Sequence, residues 1–325
     1  MSDNLLLSVE NVKKYFSVKK KWREQQKYIK AVDGVTFHVV EGETLGIVGE
    51  SGSGKSTVAK LILQLLTPSE GTISFKGKNI AQLSSSEGKE VKKNIQTVFQ
   101  DPYSSLNPRM RAKDIVTEPL LIHQKLSKKE REAIALQLLE EVGLSREHLN
   151  RYPHEFSGGQ RQRLSIARAI SLKPDLIVCD EAVSALDVSI QAQILNLLKQ
   201  LQRDHGIAFI FIAHGLPAVK HISHRIAIMY AGKIVEVADR EEMFTSPKHP
   251  YTKALIDSIP TSDPFQRKER ELIKGEPPSV IDRPPGCPFH TRCPYAEEIC
   301  RSKEPKLEEV SKGNSFACHF PLNIN

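Results

Sequence analysis

The chain has 325 residues, of which 39% are apolar and 26% are charged. This balance is typical of a globular protein with a substantial core, and it argues against a disordered or a membrane-spanning chain. The formal net charge of +7 is compatible with nucleic acid, anionic lipid or water as a neighbour and excludes none of them. The apolar runs are too short to cross a bilayer and the N-terminus lacks a secretory pattern, so we expect any membrane association to be peripheral.

In the first part of the chain, apolar periodicity predicts a mixture of strands and helices. We expect strands at 5–10, 31–39, 44–49 and 71–75, a helix at 56–66, and an exposed loop within the basic stretch 13–30. The turn at Lys76-Gly77-Lys78 indicates that the strand before it pairs with an antiparallel neighbour.

The second part is mostly helical in pattern from 111 to 171 and then returns to strands. Strand-like runs at 176–180 and 208–213 bracket a helical stretch at 189–205, as in the crossovers of parallel sheets. After Ser246 prolines become frequent and break any long element. We therefore predict an α/β fold with a core domain at 1–245, a helical lobe at about 103–171, and a small extension at 246–325.

The first motif is a glycine-rich loop that matches GxxxxGK[ST] and lies between a predicted strand and a predicted helix. Its backbone N–H groups can point at phosphate oxygens, with the helix N-terminus adding positive potential. We expect Lys55 to reach the β- and γ-phosphates and Ser56 to supply a hydroxyl to Mg²⁺. The predicted nucleotide-binding residues here are Gly49, Glu50, Ser51, Gly52, Ser53, Gly54, Lys55, Ser56 and Thr57.

The second motif is the apolar run 176–180, which ends on the adjacent carboxylates Asp180 and Glu181. Alternation along a strand sends these two side chains in different directions. Asp180 is suited to support Mg²⁺, whereas Glu181 is free to polarise an attacking water. Cys179, inside the strand, is expected to be a buried core residue without chemistry.

The third motif opens a helical run with Ser157, Gly158, Gly159 and Gln160. A helix that begins in this way can itself bind phosphate, so the chain carries two half-sites for nucleotide. Two half-sites make sense if two chains pair head to tail. With the first two motifs, the sequence resembles the ATPase subunit of an ABC transporter, in which the signature motif of one subunit closes over ATP bound to the other.

The resemblance covers about residues 5–242 and implies roles for further residues. It implies that Phe16 stacks on adenine, with Tyr15 less favoured and a core aromatic as the plain alternative. It also implies that Gln100 senses Mg²⁺ and the attacking water, and that His214 contacts the γ-phosphate. The loop that crosses the dimer interface is implied to be Ser184, Ala185, Leu186 and Asp187.

The chain departs from the family's usual pattern after His214, where it reads Gly215-Leu216-Pro217 in place of an acidic residue. Glycine is a serviceable N-cap and proline is tolerated in a first turn, so we expect altered capping and retained ATPase activity. Phe156 and Ala182 replace the family's commoner Leu and Pro, which removes no reactive group.

Segments outside the common core narrow the resemblance to the oligopeptide and dipeptide importers. They lie at 101–109, 184–197 and 248–255, and the run from Val183 to Ile190 resembles the F-type ATPase. The resemblance implies that an F-type subunit works beside a D-type paralogue. A second copy of the same chain would also complete the pair of ATPase subunits. The implied assembly also contains two membrane permease subunits and an external solute-binding protein, with the ATPase peripheral at the cytoplasmic face.

Other functions remain open at this point. Importers of nickel or other small solutes share these motifs, and the cargo is inferred by analogy because the ATPase does not touch it. A soluble ABC ATPase acting on ribosomes or DNA is disfavoured by the single uninterrupted core, so no nucleic-acid partner is expected. A non-catalytic subunit is disfavoured because Lys55, Asp180, Glu181 and His214 are all present.

Four of the five cysteines crowd into the C-terminal extension, at Cys287, Cys293, Cys300 and Cys318. A segment with little apolar core needs a staple, and in a reducing compartment a metal is favoured over disulfides. Tight C-x₂₋₄-C pairs of the zinc type are absent, while four thiolates at looser spacing can hold an iron–sulfur cluster. The resemblance implies a structural [4Fe-4S] site here, and nearby His290 and His319 keep Zn²⁺ as the alternative.

Overall fold

The computed structural model describes residues 4–18, 26–259, 275–279, 281, 283–311 and 313–323. The loop predicted within 13–30 falls largely on residues 19–25, and part of the proline-rich stretch falls on 260–274, both outside these ranges. Within the described ranges, no helix is both long enough and apolar enough to cross a membrane.

The strands alternate with helices along most of the chain. The strands are β1 (Leu5–Ser17), β2 (Tyr28–Val40), β3 (Thr44–Val48), β4 (Glu70–Phe75), β5 (Lys78–Asn79), β6 (Ile95–Val98), β7 (Leu176–Asp180), β8 (Ala208–Ala213), β9 (Arg225–Tyr230), β10 (Lys233–Asp239), β11 (Glu308–Ser311) and β12 (Asn314–Phe316). The helices are α1 (Lys55–Ile62), α2 (Ser85–Asn94), α3 (Pro102–Ser105), α4 (Ala112–His123), α5 (Lys128–Glu141), α6 (Gly158–Ile170), α7 (Val188–His205), α8 (Leu216–Ile222), α9 (Arg240–Thr245), α10 (Pro250–Asp257) and α11 (Glu298–Ser302).

Two predicted elements have different ends in the structure. The first strand continues to Ser17, well beyond the predicted 5–10, because β1 pairs with β2 along its whole length. The helix predicted at 56–66 ends at Ile62, since Gln64 takes a left-handed φ of +57° and the N–H of Leu65 turns back to the Lys60 carbonyl.

The main sheet has the order β11-β12-β10-β9-β3-β8-β7-β6, and a smaller antiparallel sheet has the order β2-β1-β4-β5. In the main sheet β6, β7, β8, β3 and β9 run parallel. Parallel strands covered on both faces are apolar throughout, and every residue of β3 and β8 is buried. The crossover β7–α7–β8, the β4–β5 pair and the α/β fold class are confirmed.

The main sheet separates two hydrophobic cores, as the alternation of side chains in β8 shows. Phe209 and Phe211 enter a core shared with the helices, whereas Ile210 and Ile212 enter a core shared with β1, β2 and α1. Within the helical lobe, α5 buries Ala135, Leu138 and Leu139 against α4 and α6. The sheet is therefore fixed from both faces.

The C-terminal segment, meaning the described residues from 246 onward, is joined to this sheet. Its strand β12 pairs antiparallel with β10 through Glu236–Phe316 and Val237–Ser315. Tyr251 of α10 and Phe289 are buried in the core on the helical side. The segment thus shares a sheet and a core with the preceding chain, while the division at 245/246 stays a prediction.

The packing of α8 on β3 predicts the effect of one added methyl group. A Cβ at Gly46 would lie 2.2 Å from Val219 Cγ1 and 2.5 Å from Ser223 Oγ. We expect Gly46→Ala to lower the free energy of unfolding by about 1–3 kcal/mol through overpacking. Gly88→Ala is the matched control, because a Cβ there meets nothing within 4 Å in helix α2. That change should raise stability by about 0.5–1 kcal/mol, and equal denaturant midpoints for the two variants would contradict the packing argument.

Candidate nucleotide site

The candidate site lies at one edge of the main sheet, where four neighbouring parallel strands end. The glycine-rich loop follows β3, His214 follows β8, Asp180 and Glu181 end β7, and Gln100 follows β6. Because carboxyl ends of parallel strands share an edge, motifs up to 165 positions apart in sequence become neighbours. The strand order therefore brings most of the predicted residues to one place.

The loop between β3 and α1 requires glycine at two positions. A Cβ at Gly49 would lie 2.1 Å from the Met229 carbonyl oxygen, and one at Gly54 would lie 2.2 Å from the Ala31 carbonyl oxygen. Gly54 also has a φ of +104°, which L side chains rarely adopt. The loop backbone consequently runs directly against neighbouring strands, with its N–H groups at the N-terminus of α1.

Lys55 is buried at the start of α1 with 4% of its surface exposed. Its ammonium donates hydrogen bonds to the carbonyl oxygens of Gly49, at 2.8 Å, and Glu50, at 3.0 Å. Burial lowers the pKa of Lys55, and the nearby carboxylates of Glu181 and Asp180 oppose that shift. A buried ammonium beside exposed backbone N–H groups is well suited to bind phosphate oxygens.

The side chains proposed to support Mg²⁺ contact each other across the sheet edge. Ser56 Oγ donates a hydrogen bond of 3.2 Å to Asp180 Oδ1. Burial raises the pKa of Asp180, the hydrogen bond from Ser56 lowers it, and the neighbouring Glu181 carboxylate raises it further. A hydroxyl and a carboxylate are oxygen donors of the kind that Mg²⁺ prefers.

Glu181 and His214 form a close pair. The distance from Glu181 Oε1 to His214 Nε2 is 2.6 Å, with Glu181 buried and His214 largely exposed. Glu181 has a left-handed φ of +52°, which is costly for a non-glycine residue, and Ser184 donates two hydrogen bonds to its carbonyl. This backbone aims the Glu181 side chain away from Asp180 and toward the end of β8.

The other residues considered for this site lie just after β6 and near the end of β1. Gln100 is exposed two residues beyond β6, whose register with β7 places Val98 beside Cys179. Tyr15 is engaged elsewhere, because its hydroxyl donates to Asp33 at 2.5 Å and Lys30 lies over its ring. Phe16 is also half-buried and has Lys14 over its ring, so a lysine lies over each aromatic and the hydrogen bond to Asp33 is what sets Tyr15 apart. Cys179 is fully buried, as predicted.

The residues predicted to form the signature motif and the interface loop lie side by side. Ser157 caps α6 and exchanges hydrogen bonds with Gln160 in a capping box. A Cβ at Gly159 would lie 2.7 Å from Ile190, and one at Gly158 would lie 3.6 Å from Leu186. These residues form an exposed surface that includes Ser157, Gly158, Ser184, Ala185 and Asp187.

The helix after His214 begins without a side-chain cap, as the sequence predicts. Gly215 occupies the N-cap position of α8 and makes no side-chain cap hydrogen bond, and Pro217 lies in the first turn. The His214–Glu181 contact is present despite this change.

The sequence did not predict two residues that contact the glycine-rich loop. The Tyr251 hydroxyl accepts a hydrogen bond of 3.1 Å from the Glu50 N–H. Arg292 makes two hydrogen bonds to the Glu50 carboxylate. The motif at 248–255 was a signal for Tyr251, but nothing in the sequence singles out Arg292.

The four C-terminal cysteines line one small cavity together with His290 and His319. Burial raises the pKa of Cys287 to about 11 and that of Cys318 to about 12. Backbone N–H groups two residues further on donate to three of the sulfurs, from Phe289 to Cys287, from Tyr295 to Cys293 and from Phe320 to Cys318. Within the described part of the chain, no His, Cys, Asp or Glu group is already spaced to hold a metal ion.

Two known families match this chain. The ABC transporter family matches residues 32–184, and the C-terminal region of oligopeptide/dipeptide transporters matches residues 235–300. The first match contains the loop at Gly49 and the pair Asp180–Glu181, while the second contains Tyr251, Arg292 and three of the cysteines.

Relatives align along almost the whole chain. The oligopeptide transport ATP-binding protein OppF of Salmonella typhimurium is 50% identical over 311 residues, covering 94% of this chain and 93% of that protein. The oligopeptide transport ATP-binding protein AppF of Bacillus subtilis is 48% identical over 319 residues, covering 97% of each. The dimeric ATP-binding cassette MJ0796, solved with ADP and Pi, superposes with a TM-score of 0.64 at 30% identity, covering 72% of this chain and 99% of that one.

The geometry separates the roles of Glu181 and Lys55. We expect Glu181→Gln to reduce ATP hydrolysis by about 10²–10⁴-fold, because the amide keeps the shape but cannot accept a proton. ATP binding should persist in this variant, whereas Lys55→Ala should abolish it. The measurements are phosphate release and equilibrium ATP binding, with Glu90→Gln, an exposed carboxylate on α2, as the control. Near wild-type hydrolysis in Glu181→Gln would contradict its role as the base.

Proposed function

This chain belongs to the family of oligopeptide and dipeptide ABC transporter ATP-binding proteins, and we propose that it drives the import of short peptides across a bacterial cytoplasmic membrane. It is an ATPase of the ABC class. The observation that carries the proposal is the joint presence of the nucleotide edge of the sheet and the peptide-transporter C-terminal region in one chain.

For hydrolysis, we propose that the loop from Gly49 to Thr57 binds the ATP phosphates and that Phe16 stacks on adenine. Ser56 and Gln100, supported by Asp180, would hold Mg²⁺, which offsets phosphate charge. Glu181 would take a proton from the attacking water, and His214, hydrogen-bonded to Glu181, would reach the γ-phosphate. The buried Lys55, the Ser56–Asp180 contact and the Glu181–His214 contact support these roles.

We propose that the functional unit contains two ATPase chains, with Ser157 to Gln160 of each closing over the nucleotide of the other. The exposed surface that combines the signature residues with Ser184 to Asp187 supports this pairing. Val188 adds an apolar side chain there that is 82% exposed. The partner would be a D-type paralogue or, failing that, a second copy of this chain.

For transport, we propose that the ATPase pair docks on two membrane permease subunits at the cytoplasmic face, with an external solute-binding protein delivering peptide. The match to the oligopeptide/dipeptide C-terminal region favours peptides over nickel or other small solutes. It also disfavours a role on nucleic acid or ribosomes.

For the extension, we propose a structural [4Fe-4S] cluster on Cys287, Cys293, Cys300 and Cys318. The convergence of these thiols in one cavity and the backbone N–H groups that donate to three sulfurs support it, since such bonds stabilise thiolate ligands. Each histidine places one ring nitrogen on a backbone carbonyl, His290 on Cys287 and His319 on Lys303, an arrangement that is also common for metal-binding imidazoles, so Zn²⁺ is the alternative that metal analysis must distinguish.

An uptake experiment tests the transport proposal. The chain is co-expressed with its paralogue, permease subunits and binding protein in cells that lack peptide import, and labelled di- and tetrapeptide uptake is compared with nickel uptake. We expect peptide uptake with the wild type and background uptake with Glu181→Gln. Nickel uptake without peptide uptake would show that the cargo is wrong, and co-purification with nucleic acid in place of membrane subunits would show that the transporter role is wrong.

Metal analysis tests the cysteine proposal. Protein purified without oxygen should be brown, contain iron and sulfide, and bleach on oxidation, because four cysteine thiolates separated in this way along the sequence can hold an iron–sulfur cluster. Replacing all four cysteines with serine should remove colour and iron together, whereas Cys179→Ser, in the core of β7, should leave the iron content unchanged. A colourless preparation with stoichiometric zinc would overturn the cluster.

A further inference from the structure

Glu50, the second residue of the phosphate-binding loop, is held from outside the nucleotide core. Arg292 Nη1 donates to Glu50 Oε2 at 2.9 Å, and Arg292 Nη2 donates to Glu50 Oε1 at 3.1 Å. This is a bidentate ion pair, the arrangement that fixes both the position and the plane of a carboxylate. The Tyr251 hydroxyl accepts the Glu50 N–H at 3.1 Å. We call Glu50, Arg292 and Tyr251 the Glu50 latch.

The two groups that hold Glu50 are themselves firmly packed. The Arg292 side chain is 6% exposed and also donates to the Tyr230 hydroxyl at 3.3 Å. Tyr251 is fully buried, with its ring 4.6 Å from that of Tyr230 and 5.3 Å from that of Phe289. Burial alone would lower the pKa of Arg292, but its hydrogen bonds to Glu50 and Tyr230 raise it.

The latch also has a rigid connection to the main sheet. Glu236 on β10 accepts the His249 N–H at 2.8 Å, and His249 Nδ1 accepts the Tyr251 N–H at 3.0 Å. The motif at 248–255, which ATP hydrolysis leaves without a role, therefore fixes the start of α10 and points Tyr251 at the loop.

The latch holds the backbone of Glu50, whose carbonyl contacts the lysine that is proposed to bind phosphate. The carbonyl of Glu50 accepts a hydrogen bond from Lys55 Nζ at 3.0 Å, so any displacement of Glu50 moves a partner of the phosphate-binding lysine. Removing one member of a buried ion pair leaves the other charge uncompensated, which drives rearrangement of the survivor. We propose that Arg292 and Tyr251 are positioning residues for the phosphate-binding loop, through which the C-terminal segment sets the affinity for ATP.

Backbone hydrogen bonds connect the Glu50 latch to the cysteine site, and we call this connection the cysteine route. Arg292 precedes Cys293, and its N–H donates to the Phe289 carbonyl at 2.9 Å. In the same turn the His290 N–H donates to the Cys287 carbonyl, and the Cys287 N–H donates to the Cys300 carbonyl at 2.8 Å. The turn that presents Arg292 is thus built on the cysteine site, so disturbing that site should reach the ATP site through Arg292.

The inference rests on the assignment of this loop to ATP, and the experiment separates the two. Equilibrium binding of Mg·ATP to the full-length chain is measured for Lys55→Ala, Glu50→Gln, Arg292→Gln, Arg292→Lys and the double variant Glu50→Gln/Arg292→Gln. We expect each Gln variant to weaken binding by at least about fivefold, the lower end of typical coupling between sites. Arg292→Lys should fall between, because lysine keeps the charge without the bidentate geometry.

Two features identify a positioning role. The double variant should bind no more weakly than the weaker single variant, because both changes break one interaction. In the assembled transporter, KM for ATP should rise in Arg292→Gln while kcat at saturating ATP stays within about twofold. Arg225→Gln is the matched control, because Arg225 is 12% exposed and pairs at 3.1 Å with Glu43, which precedes β3 and so lies at the opposite end of that strand from the loop.

The outcomes are distinguishable. Unchanged affinity in Lys55→Ala would overturn the site assignment itself. Unchanged affinity in Arg292→Gln, additive effects in the double variant, or an equal loss in Arg225→Gln would overturn the latch while leaving the site intact. For the cysteine route, Cys293→Ser should weaken ATP binding in the wild-type chain but not further in Arg292→Gln, and additivity there would remove the cysteines from the route.

Discussion

The parallel alignment of β3, β8, β7 and β6 is the constraint on which the rest of the structure depends. Each of these strands ends at the same edge of the sheet. Residues that are far apart in the sequence therefore become neighbours, namely the glycine-rich loop, His214, the Asp180–Glu181 pair and Gln100. This arrangement needs strands that are buried on both faces, and every residue of β3 and β8 is buried accordingly. The two cores on either side of the sheet hold the edge in place.

Much of this could be predicted from sequence because the signals are local. Apolar runs of five or six residues identified β7 and β8, and the spacing of Lys55 and Ser56 in the glycine-rich loop was enough to predict a phosphate site. The end of α1 was not predictable, since the left-handed turn at Gln64 depends on how the chain returns to β4. The extent of β1 was missed for the same reason, because its pairing with β2 outweighs local polarity.

The contacts of the C-terminal segment lay beyond sequence reasoning. Glu50 and Arg292 are 242 positions apart, and an arginine beside a cysteine carries no local signal for an ion pair. The sequence gives no signal for the pairing of β12 with β10 either, because a three-residue strand in a proline-rich stretch resembles a loop. Both are products of tertiary packing, in which Tyr230, Tyr251 and Phe289 bury one side of the segment against the nucleotide core.

The charges at the edge of the sheet and the ion pair between Glu50 and Arg292 affect the same loop. The edge of the sheet concentrates Asp180 and Glu181 beside one buried ammonium, Lys55, and burial opposes the charged form of both Asp180 and Lys55. Glu50 would add a third carboxylate to this crowded edge, but Arg292 pairs with it and turns it toward the C-terminal segment. Asp180 and Glu181 then remain as the carboxylates that act on Lys55, while the charge of Glu50 is compensated by Arg292. The ion pair proposed to position the loop therefore also compensates a negative charge beside the proposed phosphate site.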